Sequence, residues 1–138
     1  MRSNWRLIWL VPVLCGSMAR SEDLAPATVA KILKLVLTDA RETTLACSDP
    51  FLKAELLKLG VVTDPESRIV WVKTPQEKAK FRGTDRLTIS SQVSDLSAGV
   101  IVALVGEGGR SVFYVSKANA QANKISLPTG ISKLGKVI

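Results

Sequence analysis

Two apolar runs, Val100 to Val105 and Val112 to Val115, flank the tetrad Gly106-Glu107-Gly108-Gly109. A glycine loop cradles a phosphate when a strand ends in it and a helix begins after it, so that free backbone N–H groups and the positive helix end face the anion. Here a second strand follows, Ser111-Val112-Phe113-Tyr114-Val115, which is β-branched and aromatic. A short glycine-containing loop between two such runs is a β-hairpin whose glycines supply positive φ. The last third of the chain must therefore build a sheet, and the rest has to cover it.

The preceding segments fit that demand. Pro26 opens a stretch in which Val29, Ile32, Leu33, Val36 and Leu37 recur at helical spacing while Lys31 and Lys34 face away, an amphipathic helix on a core. Two lysines are too few to mark the polar face of a membrane-surface helix. Thr43 to Cys47 then forms a strand, Ser48-Asp49-Pro50 a turn, and a helix runs from Phe51 with Leu52, Leu56, Leu57 and Leu59 inward until Gly60. Asp49 stands at the N-cap and Pro50 at the first helical position, so capping accounts for that carboxylate. A turn at Thr63-Asp64-Pro65-Glu66 leads into Arg68 to Lys73, whose faces Ile69/Trp71 and Val70/Val72 are both apolar, the mark of a strand covered on both sides in the middle of a sheet. A brief polar helix from Pro75, a strand Arg86 to Ser90, the hairpin, and an alanine-rich helix Ala118 to Lys124 complete the order; Pro128 to Gly130 interrupts before the tail residues Leu134, Val137 and Ile138. The class is α/β: a single small domain with a mixed, mostly parallel sheet flanked by helices and ending in a C-terminal β-hairpin, its strands near 43–47, 68–73, 86–90, 100–105 and 111–116.

The N-terminus adds an address. Arg2 and Arg6 precede the apolar run Leu7 to Gly16, and Ser17 and Ala19 are small residues at the positions a signal peptidase reads. The apolar run is about half of the ~20 residues that cross a bilayer. Lipidation at Cys15 is the weaker alternative, since Leu14 stands where such sites want a small residue. The expected organisation is a signal peptide at 1–19, a leader at 20–27 and one domain at 28–138, with the product in the periplasm.

Export leaves 119 residues carrying 17 basic and 12 acidic side chains, a net charge of +5. That charge suits an acidic partner or an anionic surface and equally serves solubility. The densest basic stretch, Lys73 to Arg86, has five basic and two acidic residues but one aromatic, Phe81, where a nucleic-acid face interleaves several. It reads as a solvated helix face, and no nucleic acid is expected. Cys47 alone remains after export, so an intramolecular disulfide is excluded. At a strand end it is read as a small core residue, buried and unreactive, with an intermolecular bridge the alternative.

The chain has no histidine, which removes serine–histidine and cysteine–histidine nucleophile pairs and imidazole-built zinc sites. The carboxylates Asp39, Glu42, Asp64, Glu66, Asp85, Asp95 and Glu107 each lie at a turn or an exposed helix end, and the sequence brings no two of them together. No catalytic, cofactor or metal residue can be assigned, and the reading is a binding or regulatory module rather than an enzyme.

Several short segments resemble the YfiR-like family of small periplasmic proteins. Cys47-Ser48-Asp49-Pro50-Phe51 is similar to that family's aspartate-proline-phenylalanine step after the first strand. Ala98-Gly99-Val100-Ile101, Gly109-Arg110-Ser111-Val112-Phe113, Ala118 to Ala122, Ile125-Ser126 and Leu134-Gly135-Lys136-Val137-Ile138 fill the places of its later motifs. The resemblance covers about residues 28 to 138. It departs at Ala98 (glycine in the family), Ser116 (asparagine) and Gly135 (alanine), and in a shorter span between Ser90 and Ala98. It implies a repressor that holds the periplasmic part of a membrane-bound diguanylate cyclase inactive, and it carries no catalytic residues. The runner-up is a periplasmic ligand-binding or accessory domain serving an outer-membrane receptor or a sensor kinase. Partner-binding residues stay unassigned, and a homodimer stays open. Intact mass of protein recovered from the cell envelope is expected to lack residues 1–19; a full-length mass in the cytoplasm contradicts export.

Overall fold

The computed structural model describes residues 23–138. The signal peptide at 1–19, its cleavage point, Cys15 and the first leader residues lie outside the described residues. Helix α1 (Pro26–Ala40) starts at the expected proline and buries Val29, Ala30, Leu33, Val36 and Leu37. Strand β1 (Thr44–Leu45) follows, then α2 (Pro50–Lys58), β2 (Val62–Thr63), β3 (Ile69–Trp71), α3 (Pro75–Phe81), β4 (Leu87–Ser90), a 3₁₀ turn η1 (Val93–Ala98), β5 (Val102–Glu107), β6 (Arg110–Val115), α4 (Lys117–Ala122), α5 (Thr129–Leu134) and β7 (Lys136–Val137).

Two ladders carry the architecture: β1 with β2, and a five-stranded sheet in the order β3-β4-β5-β6-β7. They meet through one parallel bridge, Ala46 opposite Val70, made by Ala46 N–H donating to the Ile69 carbonyl and Trp71 N–H donating to the Ala46 carbonyl, both at 2.9 Å. Across that joint the order is β2-β1-β3-β4-β5-β6-β7. The first five strands are parallel, β6 is antiparallel to β5, and β7 is parallel to β6. The mixed, mostly parallel sheet is as the sequence requires, and β3 does sit inside it with both faces buried.

Strand alternation divides the core. Leu45, Ile69, Trp71, Leu87, Ile89, Val102, Leu104 and Val115 pack beneath α1, α2, α4 and α5. Ala46, Val70, Val72 and Ala103 turn to the other face, under Phe81 of α3 and Leu96 of η1. That second layer is thin and uses polar ties. Thr88 accepts the Ile101 N–H at 3.0 Å, Asn119 donates to the carbonyls of Leu96 and Val100 at 2.7 and 2.8 Å, and Lys78 pairs with Asp95 at 2.7 Å.

The structure corrects several sequence expectations. Leu57 is 72% exposed, because the inward stripe of α2 is Leu52 and Leu56, four residues apart, and Leu57 lies about 100° round the helix from its neighbour. Strand β5 starts at Val102 rather than Val100: Val100 N–H donates to the Asp95 carbonyl and Ile101 N–H to Thr88, so both N–H groups are committed to a neighbouring turn and side chain. The strand expected over 43–47 is regular only at Thr44–Leu45. The strands β2 and β7, two residues each, and the short α5 carry no periodicity by which a sequence could announce them.

Gly135 is glycine for a local reason. A Cβ there would stand 2.6 Å from both the Ile131 carbonyl oxygen and Val115 Cγ2, a contact that only glycine avoids. The hairpin is tighter than the tetrad suggests, since Gly106 and Glu107 belong to β5 and pair with Ser111 and Arg110. The turn is Gly108-Gly109 alone, at φ +56° and +77°, the two-residue geometry whose twist matches the strands. Replacing both glycines by alanine is expected to cost about 1 kcal/mol at each position in denaturant unfolding; an unchanged midpoint contradicts the strained-turn account.

Candidate functional site

In open α/β sheets ligands gather outside the carboxyl ends of the strands where the strand order reverses. Here that point lies between β1 and β3. Parallel neighbours normally need a crossover of a dozen residues or more. The chain instead passes from β2 to β3 across the two-residue β1 in the five residues Asp64 to Arg68. Asp64 N–H donates to the Leu45 carbonyl at 3.0 Å and the Ser67 hydroxyl to the Thr44 carbonyl at 2.7 Å. Asp64 Oδ1 accepts the Glu66 N–H, and Arg86 holds the Pro65 carbonyl at 3.0 Å. This tight crossing raises a wall at the strand ends. Between it and α3 lies a cleft of about 390 Å³, floored by Ala46 and Val70 and bordered by Cys47, Ser48, Lys53, Thr63, Asp64, Pro65, Trp71, Glu77, Lys80 and Phe81.

Capping chemistry places the cleft's polar groups. Asp49 Oδ1 accepts the N–H groups of Phe51 and Leu52, as the sequence requires of an N-cap. Its other oxygen meets Lys73 at 3.2 Å. Thr74 and Glu77 form a capping box at α3, with Glu77 Oε1 accepting the Lys73 and Thr74 N–H groups. Glu77 Oε2 accepts the Ser48 hydroxyl at 2.5 Å, linking the β1–α2 turn to α3. Burial pushes the Glu77 carboxyl up, but the Ser48 hydroxyl, the Lys73 and Thr74 N–H groups and the Thr74 hydroxyl outweigh it and hold it below the usual carboxylate range. Glu77 is the carboxylate that sequence reasoning missed; the Thr-x-x-Glu spacing after Lys73 was the available signal.

Cys47 lies on the cleft wall and is half-buried, more open than the core position its apolar neighbours suggest. Burial raises its thiol to about 11, with the nearby Asp49 and Glu77 charges adding to the effect and the bond to the Asp49 carbonyl and the Lys53 charge opposing it. The indole N–H of Trp71, at the strand end beside the cleft, has no hydrogen-bond partner among the described residues.

A second concavity of about 240 Å³ lies on the opposite face of the sheet, between α1 and α5 and closed below by Phe113 of β6. It is lined by Ile32, Leu35, Val36, Ile131 and Leu134, and its rim keeps Leu35 69% and Leu134 76% exposed. Asp39, at the C-terminal end of α1, accepts the Gly130 N–H at 2.7 Å in the first turn of α5 and fixes the groove's width.

The remaining carboxylates singled out in the sequence are dispersed. Glu66 meets Arg86 at 3.6 Å, Asp95 meets Lys78, and Glu107 accepts the Tyr114 hydroxyl and meets Lys136 at 3.5 Å. Among the described residues no three His, Cys, Asp or Glu side chains come together in a way that could hold a metal. No helix of the described residues is long and apolar enough to cross a membrane.

The sequence matches no protein-family model and no curated protein. The fold is similar to the crystal structure of a conserved domain protein from Vibrio cholerae O1 biovar El Tor, with a TM-score of 0.56 and 13% sequence identity over 83% of this chain. The chain spans 60% of that protein's length. At this identity the likeness concerns the fold alone.

Only a thiolate attacks, so a thiol raised to about 11 reacts at pH 7 about a hundredfold more slowly than an ordinary cysteine. Labelling of Cys47 in the folded chain is expected to be slow at pH 7 and to accelerate tenfold per pH unit toward pH 11. A rate at pH 7 equal to that of denatured protein contradicts this.

Proposed function

We propose that this chain is an exported regulatory protein that docks on the periplasmic domain of a membrane-bound signalling enzyme, a diguanylate cyclase on the YfiR-like resemblance, and represses it by contact. The observation that carries the reading is the apolar groove between α1 and α5, whose rim residues Leu35 and Leu134 stand well into solvent. Apolar side chains grouped on a surface are a hallmark of protein contact sites, whereas singly scattered ones call for no explanation. The groove is framed by two helices and a strand and braced by the Asp39–Gly130 bond, so it is preformed and loses little order on docking.

Repression requires no chemistry from this chain. A body that binds the inactive form of a sensor better than the active form shifts its population by the difference in affinity.

Deleting the gene is expected to raise cyclic di-GMP and attachment, and crosslinked envelopes are expected to yield the cyclase with this protein. Leu35→Glu and Leu134→Glu, at exposed positions, should abolish repression and co-purification while leaving thermal unfolding within a few degrees of the parent. Unchanged nucleotide levels together with recovery of only an outer-membrane receptor overturn the proposal in favour of the accessory-domain reading.

A further inference from the structure

We propose that the cleft at the carboxyl ends of β1, β2 and β3 is a binding site for a small organic carboxylate, its charged end held by Lys53 and Lys80 and its apolar body lying against Phe81, Pro65 and Val70.

The volume comes first. About 390 Å³ lies within the range of small-molecule sites and holds roughly a dozen waters at ~30 Å³ each. The charges then decide the sign of the ligand. Among the described residues the ion pairs are Lys58–Glu55, Lys73–Asp49, Lys78–Asp95, Arg86–Glu66 and Lys136–Glu107. Lys53 and Lys80, which border the cleft, enter none of them. The two acids on the same wall are engaged by their own chain: Glu77 accepts the Ser48 hydroxyl and two backbone N–H groups, and Asp64 Oδ1 accepts the Glu66 N–H. Both Glu77 oxygens and Asp64 Oδ1 are thus already accepting, while the two ammonium groups have no carboxylate partner.

The surroundings choose between anions. Phosphate sites are built from free N–H groups at helix N-termini or in glycine loops. Here both nearby helix starts are already occupied, that of α2 by Asp49 and that of α3 by Thr74 with Glu77. What remains is two lysine point charges beside an apolar floor, which suits one carboxylate on an apolar body. Lys80 already lies over the Phe81 ring, 5.3 Å from its centre, so the cation and the apolar wall are adjacent. This site is on the opposite face of the sheet from the docking groove, and the inference stands apart from the docking proposal.

Calorimetric titration of the envelope-recovered protein with benzoate, benzamide and inorganic phosphate tests it without any partner present. Saturable benzoate binding is expected, at least tenfold tighter than that of benzamide or phosphate and weaker at high salt. Lys53→Met and Lys80→Met, which keep the apolar stem, should each weaken benzoate about tenfold with circular dichroism unchanged. No benzoate binding, equal affinity for benzamide, tighter binding of phosphate, or full affinity in both lysine variants overturns the proposal.

Discussion

Two backbone hydrogen bonds, from Ala46 to Ile69 and from Trp71 to Ala46, join the two ladders of this protein, and the placement of the cleft at the strand ends depends on them. Without that joint β1 and β2 would be a separate two-stranded ribbon, which is marginal in water. With it, β3 has neighbours on both edges and apolar residues on both faces, and the strand order reverses beside it. The cleft at the strand ends is the geometric result of that reversal. The five-residue crossing from β2 to β3 is short enough to leave the cleft open and tied closely enough, through Asp64, Ser67 and Arg86, to wall it.

The two faces of the sheet are covered unequally. Beneath α1, α2, α4 and α5 lies a broad apolar layer, and its outer rim continues into the groove that Leu35 and Leu134 leave unfilled. On the other face the short α3 and η1 supply little apolar area, so position is fixed by polar contacts: Asn119 on two carbonyls, Thr88 on an N–H, and Lys78 with Asp95. Hydrogen bonds of this kind add modest net stability but are costly to leave unmade, which holds a thin layer in one arrangement. Glu77, in the capping box of α3, and Asp64, in the β2–β3 turn, accept backbone N–H groups of their own chain, while Lys53 and Lys80 have no carboxylate partner.

Much of this was legible in the chain. The helical spacing from Val29 to Leu37, the double-faced apolar strand around Val70 and Trp71, the Asp49-Pro50 helix start and the Gly108-Gly109 turn follow from local rules, because each records which side of an element meets water or which φ a turn demands. The likeness of short segments to the YfiR-like pattern added a functional expectation that those rules cannot reach.

The sequence by itself determined the class, the hairpin, the Asp49 cap and the absence of histidine chemistry, since these depend on neighbours along the chain and on residue type. Tertiary structure decided the rest. The strands β2 and β7 exist only because a longer neighbour offers them a ladder, and two residues cannot signal that alone. Leu57 faces water because α2 lies on its Leu52 and Leu56 side, and Gly135 is required by an approach of Ile131 and Val115 that is set through space. Lys53, from a helix after β1, and Lys80, from a helix after β3, border one cleft because their strands come together at Ala46 and Val70, a meeting that no pattern along the chain records.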